Sequence, residues 1–261
     1  MTQHPKQIDP DDLIPMDLCA EIFPLEIDLA YARDEAPNIF GKIYADDAKL
    51  WLHRDLAKIM CLAAQICRAD TGNTVVLYDG LRTSEAQSKM AQSAIVKANP
   101  GWMQKPRLLS PPGEGAHPRG MAIDASLKDS NGDLIDMGTD FDYLAQNQSP
   151  KHNPAHRDYE SLEKEHKNNR KMLDSAIKNA ASALGLRINL LDQEWWDFRF
   201  KKADYQGYAP ISDKELPPEM QMVTTVAISE ADFKKEYSPR VDAIKAEIDQ
   251  LSNVMPSVSP P

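Results

Sequence analysis

The sequence predicts an α+β fold, with helices packed on a mainly antiparallel central sheet. Three observations carry this. Between Asp46 and Arg68 the apolar residues Leu50, Leu52, Leu56, Ile59, Met60, Ala63 and Ile66 recur at near-helical spacing, without proline or glycine. The run Thr74 to Tyr78 is β-branched and aromatic and stops at Asp79-Gly80, as a buried strand does. Asn131-Gly132 stands between two apolar runs, which is a hairpin signal and hence an antiparallel one.

The remaining elements follow in order. Ser84 and Gln87 have capping-box spacing, so a second helix is expected from Glu85 towards Val96, ending before Asn99-Pro100-Gly101. Residues 106–120 hold Pro106, Pro111, Pro112, Gly113, Gly115, Pro118 and Gly120 and read as an irregular loop. A strand is expected over Met121 to Leu127. The acidic stretch from Asp129 that follows resembles a calcium loop only faintly, because Leu134 occupies the position where the sharp turn needs glycine. Asp158 to Leu184 reads as a helix with a polar N-terminal half, stopped by Gly185. Arg187 to Leu191 and Glu194 to Phe200 are strand-like. Beyond Tyr208 come prolines at 210, 217 and 218, then a last helical pattern through Val241, Ile244 and Ile248 to Leu251. Ser238 is its expected N-cap and Pro239 its first residue, and a proline-serine tail expected to be disordered closes the chain.

With 261 residues the chain can bury one sizeable core, and one domain plus an appendage is expected: residues 1–209 and a C-terminal helical extension, 210–261. The formal charge of −10 repels phosphate backbones and argues against nucleic acid as a partner. No stretch approaches the roughly twenty apolar residues of a membrane span. Met1 to Ala20 carries Asp9, Asp11, Asp12 and three prolines where an export signal would be basic and apolar, so a cytoplasmic location is expected. Cys19, Cys61 and Cys67 lack metal-type pairing and read as reduced, mostly buried thiols.

The segment Gly115-Ala116-His117-Pro118-Arg119-Gly120-Met121-Ala122-Ile123-Asp124 and the later Glu194-Trp195-Trp196-Asp197 together offer an imidazole, two carboxylates for a divalent ion and a further carboxylate to activate water. His117-x6-Asp124, with Gly120 and Ala122 between, resembles the S-x-H-x-x-G-x-A-x-D motif of the D-alanyl-D-alanine dipeptidase branch of the M15 zinc peptidases. Glu194-Trp195-Trp196 resembles that family's E-W-W-H segment. Further matches are Leu29 to Ala32, Asn38 to Gly41, Asp79-Gly80-Leu81-Arg82 and Asp136 to Asp142. Three positions depart from the pattern: Gly115 replaces serine, Leu81 and Thr83 flank Arg82 where tyrosine and proline are usual, and Asp197 stands where the third metal ligand is histidine.

The resemblance implies a hedgehog/D,D-peptidase-like fold and a catalytic unit over residues 1–209. It implies His117, Asp124 and, in the histidine's place, Asp197 as ligands of one zinc ion per chain, with manganese or another divalent ion as a substitute. A second carboxylate would formally cancel the ion's charge, and oxygen-rich coordination relaxes the preference for zinc. Glu194 is expected as general base, and its tryptophan neighbours as walls that dry the site and raise its pKa. Arg82, in the turn between a strand and a helix, is implied to bind the substrate carbonyl region and stabilise the transition state. Asp142 is the candidate for the substrate's free amino terminus. The expected activity is hydrolysis of D-Ala-D-Ala or a related cell-wall-derived dipeptide. Two alternatives stand beside it: a peptidoglycan D,D- or L,D-carboxypeptidase or endopeptidase of the same group, and a non-catalytic metal-binding interaction protein. Oligomeric state is not legible.

Overall fold

The computed structural model describes residues 5–105 and 107–254. The chain opens with strand β1 (Leu13–Pro15), helix α1 (Met16–Ala20) and strand β2 (Leu25–Ile27), and returns through β3 (Trp51–His53) into the long helix α2 (Arg54–Thr71). Strand β4 (Thr74–Asp79) leads to helices α3 (Ser84–Ala91) and α4 (Ala94–Ala98), and strand β5 (Ala122–Lys128) to helix α5 (Lys164–Ala183). Strands β6 (Asn189–Leu190) and β7 (Asp197–Arg199), the short α6 (Lys202–Tyr205) and α7 (Glu230–Val254) complete the described chain.

Five strands form the central sheet in the order β2-β4-β5-β7-β6, and only the β2/β4 pair is parallel. The α+β class with mainly antiparallel pairing is as expected. Val75, Val76, Leu77, Ala122, Ile123, Ala125 and Leu127 are all fully buried, so the middle strands are covered on both faces. α5 packs on α2 over the sheet, and a two-stranded ribbon of β1 and β3 lies beside it.

Several boundaries differ from the sequence reading. α2 begins at Arg54, not Asp46, because the residues just before it are drawn into a strand. Trp51–His53 instead pairs with β1, and the His53 ring caps α2 by accepting from the Asp55 amide. Thr83 rather than Ser84 caps α3, which breaks at Gln92 before α4. α5 starts at Lys164. Residues 158–163 are held in turns whose amides bond to nearby carbonyls, Glu160 to Pro150 and Leu162 to Tyr159. The hairpin at Asn131-Gly132 is present, with Gly132 at φ +89°, but its second arm is reduced to the Lys128–Leu134 bridge.

α7 begins at Glu230, well before Ser238, with the Ser229 hydroxyl accepting from the Asp232 amide. Pro239 therefore sits inside the helix. Its missing N–H costs one helical bond, which burial on both sides offsets: Phe233 and Tyr237 pack edge-to-face against Trp51 with centroids 6.0 and 5.0 Å away, and Val241, Ile244 and Ile248 continue the buried face. The expected tail, residues 255–261, lies outside the described residues. Among the described residues no helix is long and apolar enough to cross a membrane. The three cysteines are free and buried, as expected.

Candidate active site

Register across the central strands places three aspartates side by side: Asp79 on β4 pairs with Asp124 on β5, and Asp124 with Asp197 on β7. A register shift between Leu77 and Asp79 brings the first of these into line. Three buried carboxylates in a row repel one another unless cations lie among them. Arg82, His117 and Arg199 are those cations or near-cations.

Asp79 is fully engaged. One oxygen accepts from the Tyr44 hydroxyl; the other accepts from Arg82 Nε at 3.0 Å and Nη2 at 2.6 Å, and lies 3.1 Å from His117 Nδ1. Burial favours its neutral form, but Arg82, then His117 and Tyr44, outweigh this and hold it below the usual carboxylate range. Arg82 lies over the Tyr31 ring, 5.1 Å from its centroid, and 3.8 Å from Asp124.

His117 sits in a single turn of 3₁₀-helix at the end of the glycine-rich loop. Gly120, at φ +61°, reverses the chain into β5; a Cβ there would meet the His53 amide at 3.0 Å. Arg119 braces the loop by donating to the carbonyls of Gly113, Gly115 and Tyr208. The imidazole Nδ1 lies 2.9 Å from the Gly80 carbonyl, which leaves Nε2 to face Asp124 Oδ1 at 3.6 Å and Asp197 Oδ2 at 3.4 Å. Asp124 Oδ1 is buried without a hydrogen-bond partner.

Asp197 and Glu194 come from one turn and the strand after it. Arg199, two residues on and on the same face of β7, donates from Nε to Asp197 Oδ1 at 2.5 Å and from Nη2 to Oδ2. Burial pushes Asp197 up, but Arg199 outweighs it and holds the carboxyl well below its ordinary range. Glu194 lies in the turn, not on a strand, and is pushed up to about 8 by burial and then by the charge of Asp197. Asp124 is pushed up to about 6 by burial, His117 pulling against it. Trp196 lines the cavity and packs edge-on against Phe141 at 5.5 Å, whereas Trp195 lies outside the cavity lining and donates to Thr139, so only the first of the two expected walls is one.

Asp142 is buried, and both its oxygens accept from the Tyr31 hydroxyl at 3.0–3.1 Å. It is the non-glycine residue among those described that holds a positive φ, +60°. Burial, then Asp124, raises its pKa well above the ordinary value. All six residues singled out in the sequence, Arg82, His117, Asp124, Asp142, Glu194 and Asp197, line one cavity of about 170 Å³.

Donor chemistry bears on a metal ion. Atoms bound to a tetrahedral ion at about 2.1 Å stand roughly 3.4 Å apart, and two of the three separations within the expected ligand set, His117–Asp124 at 3.6 Å and His117–Asp197 at 3.4 Å, are near that spacing. The unpartnered Asp124 oxygen is the kind of atom a cation satisfies. Among the described residues, the trio with donor atoms mutually within 4.8 Å is Asp79, His117 and Asp124, without Asp197. Asp79, however, faces the Nδ1 side of the ring and already accepts from Tyr44 and Arg82, so it supports His117 rather than competing as a ligand. Asp79 and Arg199 were not expected from the sequence; for Arg199 the i, i+2 spacing from Asp197 on a strand was the available signal.

A buried imidazole–carboxylate cluster and a glutamate with a raised pKa thus share one small cavity. Residues 13–214 match the family model of the D-Ala-D-Ala dipeptidases, peptidase M15, and the chain belongs to that family of metallopeptidases. The chain is 31% identical over 185 residues to the D-alanyl-D-alanine dipeptidase of Escherichia coli (strain K12), a match covering 70% of this chain and 83% of that protein. The match to the family ends before α7.

Proposed function

We propose that the protein hydrolyses D-Ala-D-Ala or a closely related dipeptide, with a divalent ion, zinc or a substitute such as manganese, held by His117, Asp124 and Asp197. The observation that carries this reading is the convergence of all six candidate residues on one cavity. Its volume of about 170 Å³ is well under the roughly 300–1,000 Å³ of pockets for drug-sized ligands. That size favours a free dipeptide over an assembled wall polymer.

A bound ion would supply Lewis acidity towards water and the scissile carbonyl. The protein's own groups do the rest. Glu194, whose carboxyl is raised to about 8, is matched to taking a proton near neutrality and returning it to the leaving amine. Arg82, always protonated and pinned by Asp79, presents a fixed positive charge beside Asp124 to the developing oxyanion. Asp142 receives the substrate ammonium: the pair is favourable because Asp142 is dry, and the incoming cation restores its ionised form. His117, whose pKa lies well above the ordinary value because of Asp124 and Asp197 despite burial and Arg82, gives up its proton on binding the ion. Residues 1–209 act as the catalytic unit, and 210–261 as an extension whose helix α7 buttresses it through Trp51.

Incubating purified protein with D-Ala-D-Ala, its two mixed isomers and a longer peptide ending in D-Ala-D-Ala, with added zinc, manganese or a chelator, tests the proposal. Expected are alanine release from the D,D-dipeptide, its loss with chelator, and a raised KM in Asp142→Asn. Turnover of the longer peptide alone would favour the carboxypeptidase alternative, and no turnover with any metal the non-catalytic one.

A further inference from the structure

We propose that Arg199 is the built-in counter-cation of the metal site: it holds Asp197 by both oxygens and sets how tightly a divalent ion is bound there. This rests on the proposed assignment of Asp197 as a ligand. The row of aspartates is compensated unevenly. Asp79 is neutralised by Arg82 and Asp197 by Arg199, while Asp124 between them keeps an oxygen without a partner. A divalent ion held by Asp124 and His117 Nε2 would therefore meet an Asp197 already paired.

Two carboxylates facing a divalent ion formally cancel its charge and weaken it as a Lewis acid. A guanidinium fork on one of them draws electron density from that carboxylate and adds a positive charge next to the ion. Both effects loosen the ion and leave it more polarising. An arginine suits this because its planar fork engages both oxygens and cannot lose its proton. The Asp197 side chain is 1% exposed and that of Arg199 17%, so water screens the interaction little. The side-chain hydrogen bonds of Arg199 all go to Asp197 among the described residues, which marks charge compensation rather than general bracing as its role.

Titration calorimetry of zinc into metal-free protein reads this directly, on the wild type, Arg199→Gln, Arg199→Lys and His117→Ala, each checked for folding by circular dichroism. Arg199→Gln, which keeps hydrogen-bonding capacity without charge, should bind zinc at least about tenfold more tightly, as removal of a unit charge from a weakly screened site requires. Arg199→Lys, a point charge that cannot hold both oxygens, should fall between it and the wild type; if the glutamine variant does not fold, the lysine variant decides. Affinity equal to or weaker than wild type in the folded variants would overturn the proposal. A wild type that binds zinc no better than His117→Ala is a different result, and rejects the site assignment on which the proposal rests.

Discussion

The Nδ1 atom of His117 lies 2.9 Å from the carbonyl oxygen of Gly80, and the Arg82 amide returns the contact by donating to the His117 carbonyl at 3.1 Å. The turn that carries Arg82 is thus laced to the loop that carries His117. The first contact fixes the ring so that Nε2 faces the carboxylates, and the second ties arginine and imidazole into one unit.

Gly80 has no room for a side chain. A Cβ there would meet the Trp51 carbonyl at 2.7 Å and Leu52 Cδ2 at 2.9 Å. Gly80→Ala must push the turn off β3 and move His117 with it, at a cost of about 1–3 kcal/mol by the general penalty for overpacking. Urea denaturation should register that loss, and dipeptide hydrolysis should fall further than the loss of folded protein explains.

Glu194 is the proposed proton carrier. Glu194→Gln keeps its shape and removes its basicity, so kcat should fall by about 10²–10⁴, the usual worth of a general base. Zinc content measured by mass spectrometry should be unchanged, since Glu194 is not among the proposed ligands. A fall in metal content equal to the fall in kcat would make it a ligand instead.

The raised carboxyls make stability depend on pH. Glu194, moved from 4.5 to about 8, binds its proton more tightly when folded. The stability this contributes is complete below pH 4.5 and is lost as the pH rises through about 8. Asp124 acts in the same direction between 3.8 and about 6. His117, raised above 6.5, also stabilises at low pH and loses that contribution as the pH passes its folded value. Asp197, lowered by Arg199, acts oppositely and costs stability only as the pH falls below its ordinary 3.8. Metal-free protein should therefore have a urea midpoint that declines from about pH 6 to about pH 8, a window in which Asp124 is already ionised and Glu194 is not. In Glu194→Gln that decline should be shallower.

The C-terminal helix is bonded into the core beyond the limit of the family match. Tyr237 is 1% exposed against Trp51, and its hydroxyl donates to Glu219 at 2.8 Å. Tyr237→Ala should cost about 3–5 kcal/mol, as truncation of a buried large aromatic does. Denaturation monitored by Trp fluorescence would show this as one cooperative transition at lower denaturant; an early separate transition would show that the helix unfolds independently.

Much of the fold was legible because periodicity and turn chemistry are local. The β4 strand, the Asn131-Gly132 hairpin and the Gly185 stop of α5 are all written in neighbouring residues. What sequence did not yield depends on distant partners. Trp51–His53 leaves the helical pattern because β1, some forty positions earlier, pairs with it. Ser238-Pro239 looks like a helix start until Phe233 and Tyr237 find Trp51. The same division holds in the site. Resemblance to the family's motifs pointed to His117, Asp124 and Glu194, whereas Asp79 and Arg199 enter only through the register that sets three carboxylates in one row.

Anomalous diffraction at the zinc absorption edge, from crystals of the protein grown with zinc, addresses the metal site most directly. A single peak is expected about 2.0–2.2 Å from His117 Nε2 and from oxygens of Asp124 and Asp197, the ordinary range for zinc ligands. A peak on the Nδ1 side of the imidazole, bound by Asp79, or no ordered zinc between Asp124 and Asp197, would contradict it.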